Sequence, residues 1–168
     1  MVSLKDEVGF EVRIIKEKVK VLKYGDEELK YYVNSFEFLL NGKNFLEPIV
    51  LSDSKKIYAN VDPLCYVGRD IKEAVLQNRF AFIDFIEPDI LINVMPEECY
   101  LNRVYDNECE CKKVKDDEEF VIIFYIDSIN FSEKTDGGYG YINIAISLTV
   151  KKEELLRFAE ALEEEYRD

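Results

Sequence analysis

The run "YINIAISLTV" at 141–150 passes without a linker into "KKEELLRFAEALEEEYRD" at 151–168, and the two halves demand different geometries. In the first, Ile142, Ile144, Ile146, Leu148 and Val150 alternate with Tyr141, Asn143, Ala145, Ser147 and Thr149. Successive side chains of a strand point to opposite faces, so this is a strand with one dry face. In the second, Leu155, Phe158, Ala159, Leu162 and Tyr166 recur at steps of three and four, the apolar stripe of a helix. A strand that feeds directly into such a helix satisfies both only by sharing one core. The expected core therefore includes Ile122, Phe124, Ile142, Ile144, Ile146, Leu148, Leu155, Phe158 and Leu162. The helix is expected to begin near Lys151, with Thr149 or a neighbour as N-cap.

Upstream, "FVIIFYIDSINF" is apolar on both parities, as a strand covered on both faces must be. "FAFIDFIEPDILINVMP" is rich in β-branched and aromatic residues, and Pro88 interrupts it. It reads as two strand pieces joined or kinked at Glu87-Pro88-Asp89. Before it, Ile71, Ala74, Val75 and Asn78 sit at helical spacing, giving a short helix from about Arg69. Near the N-terminus Val8, Phe10, Val12 and Ile14 alternate with charged neighbours, and Val19 and Val21 resume the alternation out of phase. The slip around Ile15–Lys16 implies a bulge or a break. "KYGDEELK" reads as a polar turn and "YYVNSFEFLL" as a strand with Tyr32, Phe36, Phe38 and Leu40 on one parity. "NGK" at 41–43 is a hairpin signal, "NFLEPIVL" the returning strand, and 52–60 a polar connection.

Several hairpin-linked strands, a short middle helix and a terminal helix make an α+β chain, an antiparallel sheet or sandwich packed by an amphipathic C-terminal helix. At 168 residues with no repeat or linker, a single domain spanning 1–168 is expected. No apolar run approaches membrane-spanning length. "MVSLKDEVGF" lacks the apolar stretch of a signal peptide, so cytoplasmic residence is expected.

Residue types narrow the chemistry. The chain contains no histidine, which removes the commonest general base and the Ser-His and Cys-His nucleophile pairs. Glycosidase chemistry needs only two carboxylates, but nothing singles out two of 35 acids, and tryptophan is absent. No enzymatic activity and no cofactor are expected. Cys109 and Cys111, with Cys99 and Cys65, lack the paired spacing of structural zinc sites, so they read as reduced thiols and no metal is expected. "TDGGYG" leads into a strand, not a helix N-terminus, and reads as a turn rather than a phosphate loop.

Charge is placed unevenly. Residues 1–60 carry ten basic and ten acidic residues, so the net charge of −13 arises entirely from 61–168. That balance disfavours nucleic acid and anionic membranes as partners. "DDEE" at 116–119 precedes the buried strand, which puts Asp116, Asp117, Glu118 and Glu119 at its solvent-facing mouth. On the last helix Glu153 and Glu154 suit the positive end of the helix dipole, whereas Glu163, Glu164 and Glu165 crowd the negative end. Glu160, Glu163 and Glu164 make a second candidate face. Both groups read either as solvated surface or as a lure for a basic protein partner.

"FYIDSINF", "GYGYINIAISLTV" and "EELLRFAEALEEEY" together span 124–166, with "FIDFIEPDI" as a fainter echo. This region resembles small acidic bacterial immunity proteins of the WapI type. The resemblance implies a non-enzymatic inhibitor that occludes a basic cognate toxin domain, its carboxylates standing where substrate phosphates would bind. The alternative is a structural or ligand-binding domain whose acidity serves solubility only.

Overall fold

The computed structural model describes residues 1–24, 27–50, 56–61, 65–83, 90–100, 118–127 and 144–167. Among them the expected α+β architecture is present as two antiparallel sheets and two longer helices. The first sheet holds β1 (Val2–Lys5), β2 (Phe10–Tyr24), β3 (Glu27–Leu40), β4 (Lys43–Asn44) and β5 (Ile57–Val61). Its order is β1-β2-β3-β4, and β5 pairs with β3 as well.

The phase slip in the sequence is a bulge. Register is continuous from Phe10↔Leu40 to Lys16↔Asn34 and resumes at Lys18↔Val33, leaving Glu17 as the extra residue. Its carboxylate accepts hydrogen bonds from Ser35 Oγ at 2.7 Å and from Lys56 Nζ, which together hold it below the usual carboxylate range, the lysine foremost. "KYGDEELK" is mostly strand rather than turn. Pairing continues to Tyr24↔Glu27, and Lys23 and Glu28 face one another across the ladder, 3.0 Å apart. The hairpin at "NG" forms as expected, with Asn41 and Gly42 at φ of 51° and 80° and Leu40 paired with Lys43. The returning strand is far shorter than expected. After Asn44 the chain turns into a 3-10 helix at Glu47–Ile49, where Pro48 needs no donor. Leu46 and Val50, either side of it, are thereby buried. The stretch read as a polar connection contains most of β5, whose Ile57 and Ala59 are buried while Tyr58 is only partly so. Val8, expected in a strand, is 74% exposed in the turn between β1 and β2.

The second sheet runs β6 (Ala81–Ile83), β7 (Ile90–Pro96), β8 (Glu119–Ile126), β9 (Ile144–Lys151). β6 and β7 are the two expected pieces of the apolar stretch, paired antiparallel. Pro88 and residues 84–89 lie outside the described residues, as does "TDGGYG". β8 is central, flanked by β7 and β9, and its two apolar parities have separate destinations. Phe120, Ile122, Phe124 and Ile126 enter the main core. Val121 and Ile123 pack with Met95 and Cys99, bordered by Phe80, Tyr100 and Tyr125. Of β9's expected dry face, Ile146, Leu148 and Val150 are buried and Ile144 partly so, while Ile142 lies outside the described residues.

Among the described residues, two longer helices close the structure. α1 (Cys65–Leu76) starts four residues before the expected Arg69 and buries Val67, Ile71, Ala74 and Val75. α2 (Lys152–Glu165) buries Leu155, Phe158, Ala159 and Leu162, and Tyr166 just beyond it is buried too. Of the expected N-cap, Thr149 or a neighbour, the residue in place is Lys151, with no side-chain cap. The Lys152 N–H is satisfied instead by the Glu118 carbonyl at 2.7 Å, because β9 delivers the chain beside the start of β8.

One apolar cluster unites both sheets and both helices, with Phe38 and Phe124 edge-to-face between the sheets at 5.7 Å. The last helical turn is tied in by polar contacts. Tyr166 OH donates to Asn34 Oδ1, and Asn34 is wholly buried. Burial holds the Tyr166 phenol well above its ordinary range. Lys16 Nζ lies 4.5 and 4.9 Å from the Tyr32 and Tyr166 ring centres and reaches the Glu165 carbonyl at 3.3 Å. A cation therefore meets the negative end of the helix dipole.

Candidate functional site

The start of β8, the end of β9 and the turn between β1 and β2 converge at one end of the molecule. Glu119 is paired in register with Lys151, and Lys151 Nζ bridges back to Glu7 at 2.7 Å. The Glu7 hydrogen bond is the main reason that the Lys151 ammonium is held above the usual lysine range. The charges of Glu7, Glu119 and Glu153 add to it. Glu7 is correspondingly lowered, again chiefly by that hydrogen bond. Glu118 lies exposed beside the first turn of α2, tied there by the backbone bond to Lys152. That turn carries Glu153 and Glu154, both exposed. Glu154 is bridged by Arg157. The acidic mouth of β8 and the acidic start of α2, 34 residues apart in sequence, form one surface.

Of the expected site residues, Glu118 and Glu119 belong to this surface, while Asp116 and Asp117 lie outside the described residues. The second group sits elsewhere on the same helix. Lys72 Nζ of α1 lies 3.4 Å from Glu160 and 3.9 Å from Glu163, between the two carboxylates. Glu164 is exposed, and its carbonyl accepts the N–H groups of Tyr166 and Arg167. The late acids of α2 therefore do have cationic company. It comes from Lys72 of α1 for Glu160 and Glu163 and from the N-terminal ammonium of Met1, 2.9 Å from the Glu165 carboxylate, not from their own helix.

Sequence reasoning passed over Asp6, Glu7, Glu153 and Glu154 as site residues. A signal existed for the helix pair, which is adjacent to the strand that must run back beside "DDEE". None existed for Glu7, which arrives from more than a hundred residues away. Asp6 shapes the turn. Its Oδ1 accepts the N–H groups of Val8 at 3.0 Å and Phe10 at 2.8 Å. The turn leans over the outward face of β9 and leaves a cleft of about 360 Å³, lined by Asp6, Glu7, Phe10, Glu119, Thr149 and Lys151, among others.

The surface can attract and hold a cationic protein face. Carboxylates accept hydrogen bonds from lysine and arginine, and exposed ion pairs such as Glu7–Lys151 exchange partners at little cost. Among the described residues, no three histidine, cysteine, aspartate or glutamate side chains are grouped to hold a metal ion. Cys99 is buried beside Met95, Val121 and Ile123. Cys109, Cys111 and the Cys65 side chain lie outside the described residues. Among the described residues no helix is long and apolar enough to cross a membrane. No family model, no curated protein and no solved structure matches this chain.

Proposed function

We propose that this protein is a non-enzymatic cytoplasmic inhibitor that docks its acidic end on a basic protein partner, in the manner of an immunity protein neutralising a toxin domain. The observation that carries the reading is the convergence of Glu7, Glu118, Glu119, Glu153 and Glu154 from three separate segments. Complementary charge raises encounter rates with a cationic face and suppresses wrong partners. Glu160 and Glu163, shared with Lys72, fit the alternative role, as part of a solvated helix–helix seam.

The test replaces Glu118, Glu119, Glu153 and Glu154 with glutamine and compares Glu160→Gln/Glu163→Gln. The cognate toxin domain, found as a basic protein co-purifying from the native host or encoded beside this gene, is the binding partner. The first variant should associate about tenfold more slowly at low salt, with a flatter dependence on ionic strength. The second should match the parent. Equal rates for all three proteins would refute the assignment of this end.

A further inference from the structure

The geometry points to a more specific docking surface at this end: an apolar patch flanked by acids, shaped for a cationic protein segment that presents an aliphatic or aromatic side chain between its lysines or arginines. This rests on the functional reading above and narrows it from a charge to a contact.

The patch arises where the inner face of the first sheet runs past the core. Phe10 and Leu40 are paired across β2 and β3 on the same parity as the buried Val12 and Phe38. Phe10 is only partly covered, and Leu40 is exposed. Phe45 stacks edge-to-face on Phe10 at 5.6 Å and is itself exposed, and Val8 stands out from the neighbouring turn. Phe10 and Val8 also line the cleft with Glu7 and Glu119, so apolar and acidic groups share one concavity. Protein interfaces combine an apolar centre with a polar rim, and apolar patches framed by charge mark such sites.

The surface is also preorganised. Asp6 fixes the turn that presents Val8, and the Asn41 N–H bonds the Gly9 carbonyl at 3.1 Å, locking that turn to the β3–β4 hairpin. Ordering cost on binding is therefore small. Charge selects the occupant. The cleft sets Asp6, Glu7 and Glu119 against Lys151, a net acidic balance, so a second copy of this chain presenting the same end is repelled and a cationic segment is favoured.

The test is an NMR titration of isotope-labelled protein with three synthetic peptides: Lys-Lys-Leu-Phe-Lys-Lys, Lys-Lys-Ser-Ser-Lys-Lys and Glu-Glu-Leu-Phe-Glu-Glu. The first should bind at least about tenfold tighter than the second, as buried apolar anchors do. Its shifts should centre on Val8, Phe10, Leu40, Phe45 and Glu119. Phe45→Ser and Val8→Ser, both on the surface, should remove that advantage and leave the second peptide's affinity unchanged. Equal binding of the two lysine peptides overturns this inference and leaves the electrostatic reading standing. Failure of both lysine peptides overturns the two together. Binding of the glutamate peptide as tight as the first removes the role of the acidic rim.

Discussion

Gly68 decides how closely the two helices approach, and replacing it with alanine has an effect whose sign is informative. A Cβ at this position would fall 2.5 Å from the Ala159 carbonyl oxygen and 3.1 Å from both the Glu163 N and Cγ. The nearest of these atoms is backbone inside α2, fixed by helix hydrogen bonds, so it cannot swing aside as a side-chain tip would. The helices must separate, and the Lys72 contacts to Glu160 and Glu163 stretch with them. Overpacking of this kind costs about 1–3 kcal/mol. Without the clash, alanine would stabilise a helix by about 1 kcal/mol over glycine. The steric cost dominates, leaving a net loss of about 1 kcal/mol, or a melting temperature lower by about 2–4 °C for a chain of this size. Gly68→Val, with a branched side chain in the same space, should lose more. Circular dichroism melting of the three proteins measures the series. A Gly68→Ala protein that melts higher than the parent would refute the close crossing, because helix propensity alone would then be setting the result.

Tyr166→Phe removes the donor to Asn34 Oδ1 and strands a buried acceptor. Urea unfolding should show a loss of about 1–3 kcal/mol with an unchanged slope, and an unshifted midpoint would mean that the bond contributes nothing. Glu17→Gln should destabilise at neutral pH, since the folded carboxylate is lowered by Lys56 and then Ser35. That stabilisation is present above the ordinary carboxylate range and fades as pH falls through the lowered folded value. The gap between variant and parent should therefore close in acid, and a constant gap across the titration would contradict the linkage. Deleting residues 151–168 removes the burial of Leu155, Phe158 and Leu162. At about 1.5–3 kcal/mol for each side chain, the loss rivals the whole net stability of a domain. The truncated chain should show no cooperative melt, and a parent-like transition would remove α2 from the core.

Elements whose pattern is local were legible before any coordinates. β9 and α2 have clean periods of two and 3.6, β8 is apolar on both parities, and "NG" needs only its own backbone to turn. Even the phase slip was visible, as a bulge or break around Ile15–Lys16, because one extra residue shifts every later side chain to the other face; pairing places that residue at Glu17. Elements that depend on a neighbour were not. β5 is a strand because β3 offers it an edge, and "NFLEPIVL" breaks off because Leu46 and Val50 find the core through a 3-10 turn. Asn34 sits on the dry parity of β3, and only Tyr166, 132 residues away, supplies the partner that lets it be buried.

The candidate site divides along the same line. Sequence alone determined that acids crowd the entrance of β8 and both ends of α2, since covalent order places them there. Which of those acids face solvent together was a tertiary matter. α1 brought Lys72 between Glu160 and Glu163 and engaged that face within the molecule. The β1–β2 turn brought Glu7 to Lys151 and merged the other acids into one surface beside Phe10 and Phe45. Periodicity constrains a residue's direction within its own element. Electrostatic partnership depends on distances of a few ångströms between elements, and only the packing of sheets and helices against one another sets those.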